Sequence, residues 1–261
     1  MYYLGIDIGS LSCDAVLINE NETVLASSVI PTGARNVEAI QNVKTHVLDM
    51  AGIQEPDLKA IISTGYGRNR VDNRLKAVTE ITCHARGIKA SLEGTGLLID
   101  IGGQDSKAIK LDSEGHVKDF AMNDKCAAGT GRFLEAMARA LQVPIKEMSE
   151  LDHGARKNLT LSSMCTVFAE SEVVSLIADG VETNEIVNGL NRAIASRTIS
   201  LVKRVAPDLS GVSVAMSGGV AKNSGVIRAL NQLMEKEIKV PDQPDTIGAL
   251  GAALIALEKS K

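Results

Sequence analysis

The 261-residue chain has no tryptophan, and its aromatic residues amount to only 2%. So few rings cannot build the stacking platforms on which single-stranded nucleic acids are held. A basic excess is missing too: 28 Lys and Arg against 32 Asp and Glu leave a net charge of −4. A mildly acidic chain without a basic block argues for no nucleic-acid partner. The longest apolar run, GALGAALIAL at 248–257, is too short to span a bilayer as a helix and suits a core helix. The start, MYYLGIDIGS, reads as a strand without the basic and apolar regions of a signal peptide. No membrane association and a cytoplasmic location are therefore expected. Cysteines are few: Cys13, Cys83, Cys126 and Cys165. In a reducing compartment they are thiols or metal ligands before they are disulfides. The pattern GxxxxGK[ST] is absent, which excludes a P-loop enzyme, and GTGRFL at 129–134 lacks the last glycine of a dinucleotide fingerprint.

What is present is a regular alternation of elements. Residues 2–30 read as strands broken by the polar turn NENET. Val37, Ile40, Val43, Val47 and Leu48 fall at helical spacing between Asn36 and Met50, with Gly52 as a stop. A strand over Leu58–Ile62 and a helix over Ile81–Leu92 follow. A second block then repeats the first at an offset of 93: Ile6-Asp7-Ile8-Gly9 returns as Ile99-Asp100-Ile101-Gly102. In the same register Ala15 meets Ala108, Val16 meets Ile109, Ile18 meets Leu111 and Val24 meets Val117, while NENET falls on DSEGH. Agreement held over one register points to a duplicated domain. Helices are expected over Gly131–Leu141, Thr166–Ala178 and Glu185–Val205, a strand over Val212–Met216, and a helix ending at Met234. A strand over Glu237–Val240 and a last helix over Ile247–Leu257 complete an α/β protein. Small residues at helical spacing in GALGAA suit close helix packing rather than binding.

Two loops share one form, DIGSLS at 7–12 and DIGGQD at 100–105. A glycine there lets backbone approach a ligand, and successive N–H groups make an anion cradle. An aspartate at the strand end can hold Mg²⁺, usually through water. Asp7 and Asp100 are the candidates, with Gly9, Gly102 and Gly103 as the cradle glycines. SGGVAKN at 217–223, between a strand and a helix, offers Gly218, Gly219, Val220 and Asn223 to a flat ring or a phosphate; a packed strand-to-helix turn is the plain alternative.

DIGS and DIGGQD, with SGGVAKN and GALGAA, resemble the acetate kinase, Hsp70 and actin superfamily of ATP-binding proteins. TGYGRN at 64–69, NDKCAAGTGRF at 123–133 and SSMCTVFAESEV at 162–173 resemble the activator component of 2-hydroxyacyl-CoA dehydratases and the related ATP-binding subunits of benzoyl-CoA reductase. The resemblance runs the length of the chain. It implies duplicated ribonuclease H-like domains, 1–94 and 95–261, with an interdomain nucleotide cleft and the last helix packing back on the first domain. It implies an ATPase that binds ATP or ADP with Mg²⁺ and donates one electron to a 2-hydroxyacyl-CoA dehydratase. A benzoyl-CoA-reductase-like ATPase subunit, a small-molecule kinase of the same fold without iron, and an ATP-dependent interaction module are the alternatives. By loop form and resemblance together, Gln104 orients the attacking water, and Ser10, Leu11, Ser12, Cys13 and Asp14 line the first phosphate loop. Gly129, Thr130 and Gly131 face the nucleotide. The family usually carries a lysine at the place of Asp14, and an acid is unfavourable beside phosphate; Lys107 holds the equivalent place in the second copy.

Cys126 and Cys165 each precede a helical run, where a helix N-terminus stabilises a thiolate. From the residues alone, two buried inert thiols fit equally. A [4Fe–4S] cluster usually takes four thiolates, and the resemblance implies one oxygen-sensitive cluster bridging a homodimer, with Cys126 and Cys165 from each chain. A reduced ferredoxin or flavodoxin is the implied reductant. Cys13 and Cys83 read as structural thiols, and His46, His84, His116 and His153 as solvated or hydrogen-bonded side chains.

Overall fold

The computed structural model describes residues 1–155, 159–161 and 165–260. The first three residues of the SSMCTVFAESEV motif, 162–164, lie outside the described residues, and Cys165 lies within them. The N-terminal half of the repeat contributes β1 (Tyr2–Ile8), β2 (Ser12–Asn19), β3 (Val24–Pro31), α1 (Asn36–Ala51), β4 (Leu58–Gly65), β5 (Lys76–Ala77) and α2 (Glu80–Ser91). The later elements are β6 (Leu97–Ile101), β7 (Ser106–Leu111), β8 (Val117–Asn123), α3 (Gly131–Leu141), α4 (Met148–Leu151), α5 (Thr166–Ala178), α6 (Thr183–Val205), β9 (Val214–Ser217), α7 (Ser224–Met234), β10 (Ile238–Lys239) and α8 (Ile247–Lys259).

The first sheet has the order β3-β2-β1-β4-β5, with β1, β2 and β3 antiparallel and β4 parallel to β1. Period-two alternation gives it two apolar faces. Leu4, Ile6, Ala15 and Leu17 pack with Ile40, Val43 and Val47 of α1, while Tyr3, Val16 and Ile18 pack with Cys83 of α2 and Ala249, Ala252 and Ala253 of α8. The small residues of α8 serve this closeness. A methyl on Gly251 would strike the Cys83 carbonyl, and one on Gly5 would strike the α8 backbone at Ala249. The close-packing reading of GALGAA is therefore borne out.

The second sheet has the order β10-β9-β6-β7-β8. Read backwards, it is the first sheet with every strand replaced by its repeat. The duplication extends to single hydrogen bonds. Gly9 N donates to Ser12 O at 2.9 Å, and 93 residues on Gly102 N donates to Asp105 O at 3.0 Å. In the hairpin turns, Asn19 Oδ1 accepts from Asn21 N and Thr23 N, as Asp112 Oδ1 accepts from Glu114 N and His116 N.

By contacts the chain divides into two units. One comprises 1–98, 109–119 and the stretch from Pro241 onward; the other comprises 99–108 and 120–240. Among the described residues no helix is long and apolar enough to cross a membrane.

Candidate functional site

In the first unit β1 carries Asp7 to the loop, and the antiparallel register sets it opposite Asp14 on β2. By strand alternation both lie on the face of Tyr3 and Val16, toward α8. Gly65, at φ +82, and Gly248 closely flank the Asp7 carboxylate; a methyl on either would collide with it. The His84 ring lies against Gly248 as well, and its Nδ1 is 2.9 Å from Glu80 O. Thr32 closes the loop from outside, its hydroxyl donating to Gly9 O and its amide to Leu11 O, both at 2.9 Å. Ser10 and Leu11 are half-exposed at the tip.

Asp14 is buried, at 5% exposure. Ser12 Oγ donates to its Oδ2 at 3.1 Å, and its Oδ1 has no hydrogen-bond partner among the described residues. Burial, then Asp7, then Asp245 push its carboxyl well above the usual carboxylate range, against the pull of Ser12 and His84. Folded Asp14 thus keeps its proton to higher pH than unfolded Asp14. Stability is lost as pH rises from about 4 through the raised folded value. Asp14→Asn should therefore be more stable than wild type at pH 7 and gain nothing near pH 4, a difference of roughly 2–4 °C in Tm for each kcal/mol. Melting curves at the two pH values check this, and an equal difference at both would refute it. Burial likewise pushes the Cys13 and Cys83 thiols up to about 12. Both are fully buried, as expected of structural thiols.

In the second unit Lys107 holds the place of Asp14, and the electrostatics invert. Lys107 Nζ lies 3.1 Å from Asp100 Oδ2 and 2.6 Å from Asp105 Oδ2, with all three side chains buried. Ser217 Oγ, at the end of β9, donates to Asp100 Oδ1 at 2.8 Å. Gly218 follows with φ +84 and packs on Ile101 O, as Gly65 packs on Ile8 O in the first unit. Gln104 is exposed at the loop tip between Gly103 and Asp105. Gly219 opens a short 3-10 turn in which Val220 is buried. Asn223 caps α7, its Oδ1 accepting from Gly225 N at 2.9 Å and Val226 N at 3.2 Å.

The cysteine turn is bonded to this same loop. Gly131 N donates to Gly102 O and Arg132 N to Gly103 O, both at 2.9 Å. Thr130 turns inward, its amide and hydroxyl both donating to Ala127 O. Gly129 sits at φ +92, a left-handed conformation that glycine adopts without strain. Cys126 is exposed, and Asn123 Nδ2 holds its carbonyl at 3.2 Å. Cys165 is exposed too and stands directly at the start of α5, whereas Cys126 is separated from α3 by residues 127–130. The Arg197 stem, from α6, passes beside Gly129 of the same turn, and its guanidinium lies 5.6 Å from the centroid of the Phe133 ring. Two accessible thiols on separate segments suit half the ligand set of a [4Fe–4S] cluster. The inert-thiol alternative therefore fits Cys13 and Cys83 rather than these two.

Three participants had no place among the sequence candidates: Asp105, Ser217 and Arg197. Lys107 could be noticed through the repeat, but not its two carboxylate partners. A pocket of about 260 Å³ opens beside α6, lined by Leu159, Thr160, Arg192, Ser196 and Arg197 among others, and it includes no residue of the Asp-Ile-Gly loops.

Two matched sheets, each ending its first strand in an aspartate beside a glycine turn, define the duplicated fold of the acetate kinase, Hsp70 and actin class. A ROK family glucokinase from Streptomyces griseus shares that fold at a TM-score of 0.61 and 14% identity, over 99% of this chain and all of that one. The chain belongs to the BadF/BadG/BcrA/BcrD ATPase family, whose model matches residues 4–256. It is 44% identical to the activator of lactoyl-CoA dehydratase of Anaerotignum propionicum, over 100% of this chain and 99% of that protein. The activator of the 2-hydroxyisocaproyl-CoA dehydratase from Clostridium difficile, solved with bound ADPNP, superposes at a TM-score of 0.93 with 41% identity, covering 100% of this chain and 96% of that one.

Proposed function

We propose that the protein is an ATP-dependent one-electron donor that activates a 2-hydroxyacyl-CoA dehydratase. The observation that carries this is the pair of backbone bonds from Gly131 and Arg132 to the carbonyls of Gly102 and Gly103. They join the turn that bears Cys126 to the loop that bears Gln104. A shift of that loop on nucleotide binding or cleavage is passed to the cysteine segment through covalent and hydrogen-bonded backbone alone. Such coupling requires ATP to favour one conformation over the other. The functions of the similar activators support the same reading.

In this proposal Cys126 and Cys165 of two chains hold one [4Fe–4S] cluster across a homodimer, and reduced ferredoxin or flavodoxin is the electron source. When bound, that cluster supplies a one-electron store at low potential. The protein's own residues do the rest. The loops at Gly9–Asp14 and Gly102–Gln104 cradle the phosphates, assisted by Gly218 and Gly219. Asp7 and Asp100 hold Mg²⁺ through water, and the two oxygens of Asp100 remain oriented by Lys107 and Ser217. Gln104, exposed beside the cradle, orients the attacking water. The setting is cytoplasmic and free of oxygen.

Iron and sulfide content of anaerobically purified protein, with its mass in solution, tests the assignment. A dimer with about four irons is expected; a colourless monomer would overturn it. For Gln104→Ala, ATP turnover should fall by about 10²-fold, with nucleotide affinity little changed. Undiminished turnover would remove Gln104 from the reaction.

A further inference from the structure

The pocket beside α6 stands apart from the site described above. Its lining residues all belong to the second unit, and none comes from the Asp-Ile-Gly loops, from 217–223 or from the two exposed cysteines. One wall is a single stripe of the helix. Gly189, Arg192, Ala193, Ser196 and Arg197 recur at the spacing of one helical face, and all of them line the pocket. Much of the remaining wall is leucine: Leu159 and Leu161, with Leu233 from the end of α7. Leu159 sits close on the helix. A Cβ on Gly189 would lie 3.2 Å from Leu159 O and 3.3 Å from its Cδ2.

Charge in this pocket is of one sign. Two guanidiniums line it and, among the described residues, no carboxylate does, although acids outnumber bases in the chain. Arg197 is held in place: its stem runs beside Gly129, and its guanidinium stands 5.6 Å from the centroid of the Phe133 ring. Arg192 is half-buried and makes no hydrogen bond, ion pair or ring contact among the described residues. A guanidinium carries five N–H donors, and withdrawing them from water without an acceptor is costly. An acceptor from outside the chain relieves that cost.

We propose that this pocket binds a short-chain aliphatic carboxylate, its head group taken by Arg192 and Arg197 and its chain laid on the leucines. The guanidinium fork matches the two oxygens of a carboxylate. Ser196 and Thr160, both exposed, add hydroxyl donors. An inorganic anion would leave Leu159, Leu161 and Leu233 wet, whereas a hydrocarbon chain removes them from water. The volume of about 260 Å³ lies below the range of about 300–1,000 Å³ of drug-sized sites, which fits a small acid rather than a coenzyme. The site does not depend on the iron–sulfur reading.

The test titrates full-length protein, saturated with ADP, with acetate, butyrate, hexanoate and inorganic phosphate in a calorimeter. Affinity should rise about fourfold with each methylene added to acetate, and phosphate should bind more weakly than butyrate. Arg192→Gln should weaken butyrate by about tenfold or more. Ser196→Asp, which brings a carboxylate into the pocket from an exposed position, should abolish binding. Both variants should keep the melting temperature and ADP affinity of wild type, and each checks the other. No heat from butyrate or hexanoate at millimolar concentration overturns the proposal. Butyrate affinity unchanged in both variants places the acid elsewhere and overturns the site. Phosphate binding as tightly as butyrate overturns the carboxylate assignment. Displacement of ADP by butyrate would put the acid in the nucleotide cradle and overturn the site too.

Discussion

Cys126→Ala is expected to give a folded but colourless protein, with iron and sulfide at background and the mass of a single chain. The thiol is exposed and its loss opens no cavity, so stability should change by no more than about 0.5 kcal/mol. On the proposed assignment, what disappears is one of the two ligands each chain supplies. A homodimer reduced from four thiolates to two can no longer close a [4Fe–4S] site, and the bridge that joins the chains goes with it. Activation of the dehydratase should vanish as well. Cys83→Ala makes the control. That thiol is buried between β4 and α8, so its removal should lower the melting temperature and leave iron content at the wild-type level. Full iron in Cys126→Ala, or its loss in Cys83→Ala, would contradict the assignment of ligands.

The largest stability loss should come from Lys107→Met. Lys107 is 2% exposed and compensates two buried carboxylates, Asp100 and Asp105. Methionine fills a similar volume, so the change isolates charge from packing. Breaking a buried pair from one side costs about 3–5 kcal/mol, because the remaining charge has nowhere to go. Urea denaturation at pH 7 measures it. The deficit should shrink as pH falls and the stranded carboxylates take up protons. A loss under about 1 kcal/mol would mean that water or another group already neutralises them. The first repeat shows how the fold lives without that lysine: at Asp14 the carboxyl itself binds a proton more tightly.

The two repeats explain how much could be read along the chain. Strand alternation, a turn glycine and an aspartate at the strand end are local features, and each survives in the register Ile6–Gly9 against Ile99–Gly102. The hairpin β6–β7 and its loop were legible for that reason, as were α5 and the glycine-spaced α8. Beginnings were less sharp: α6 starts at Thr183 rather than Glu185, and β9 at Val214 rather than Val212. Asp105 and Ser217 were missed because an ion pair or a hydroxyl contact leaves no periodic trace. Arg197 was missed because a cationic residue in a long amphipathic helix looks solvated until its neighbours are known.

By itself, then, the sequence determined the duplication, the two Asp-Ile-Gly loops and the helical runs after Cys126 and Cys165. These depend on residues within a few positions of one another. Only the tertiary structure decided that the turn after Cys126 hangs by its amides from Gly102 and Gly103. It alone set Lys107 between Asp100 and Asp105 while leaving Asp14 opposite Asp7, and it alone carried Arg197 to Gly129 in the turn after Cys126. Each of those choices is made by which groups burial forces together across tens of residues, and burial is a property of the closed chain, not of its order.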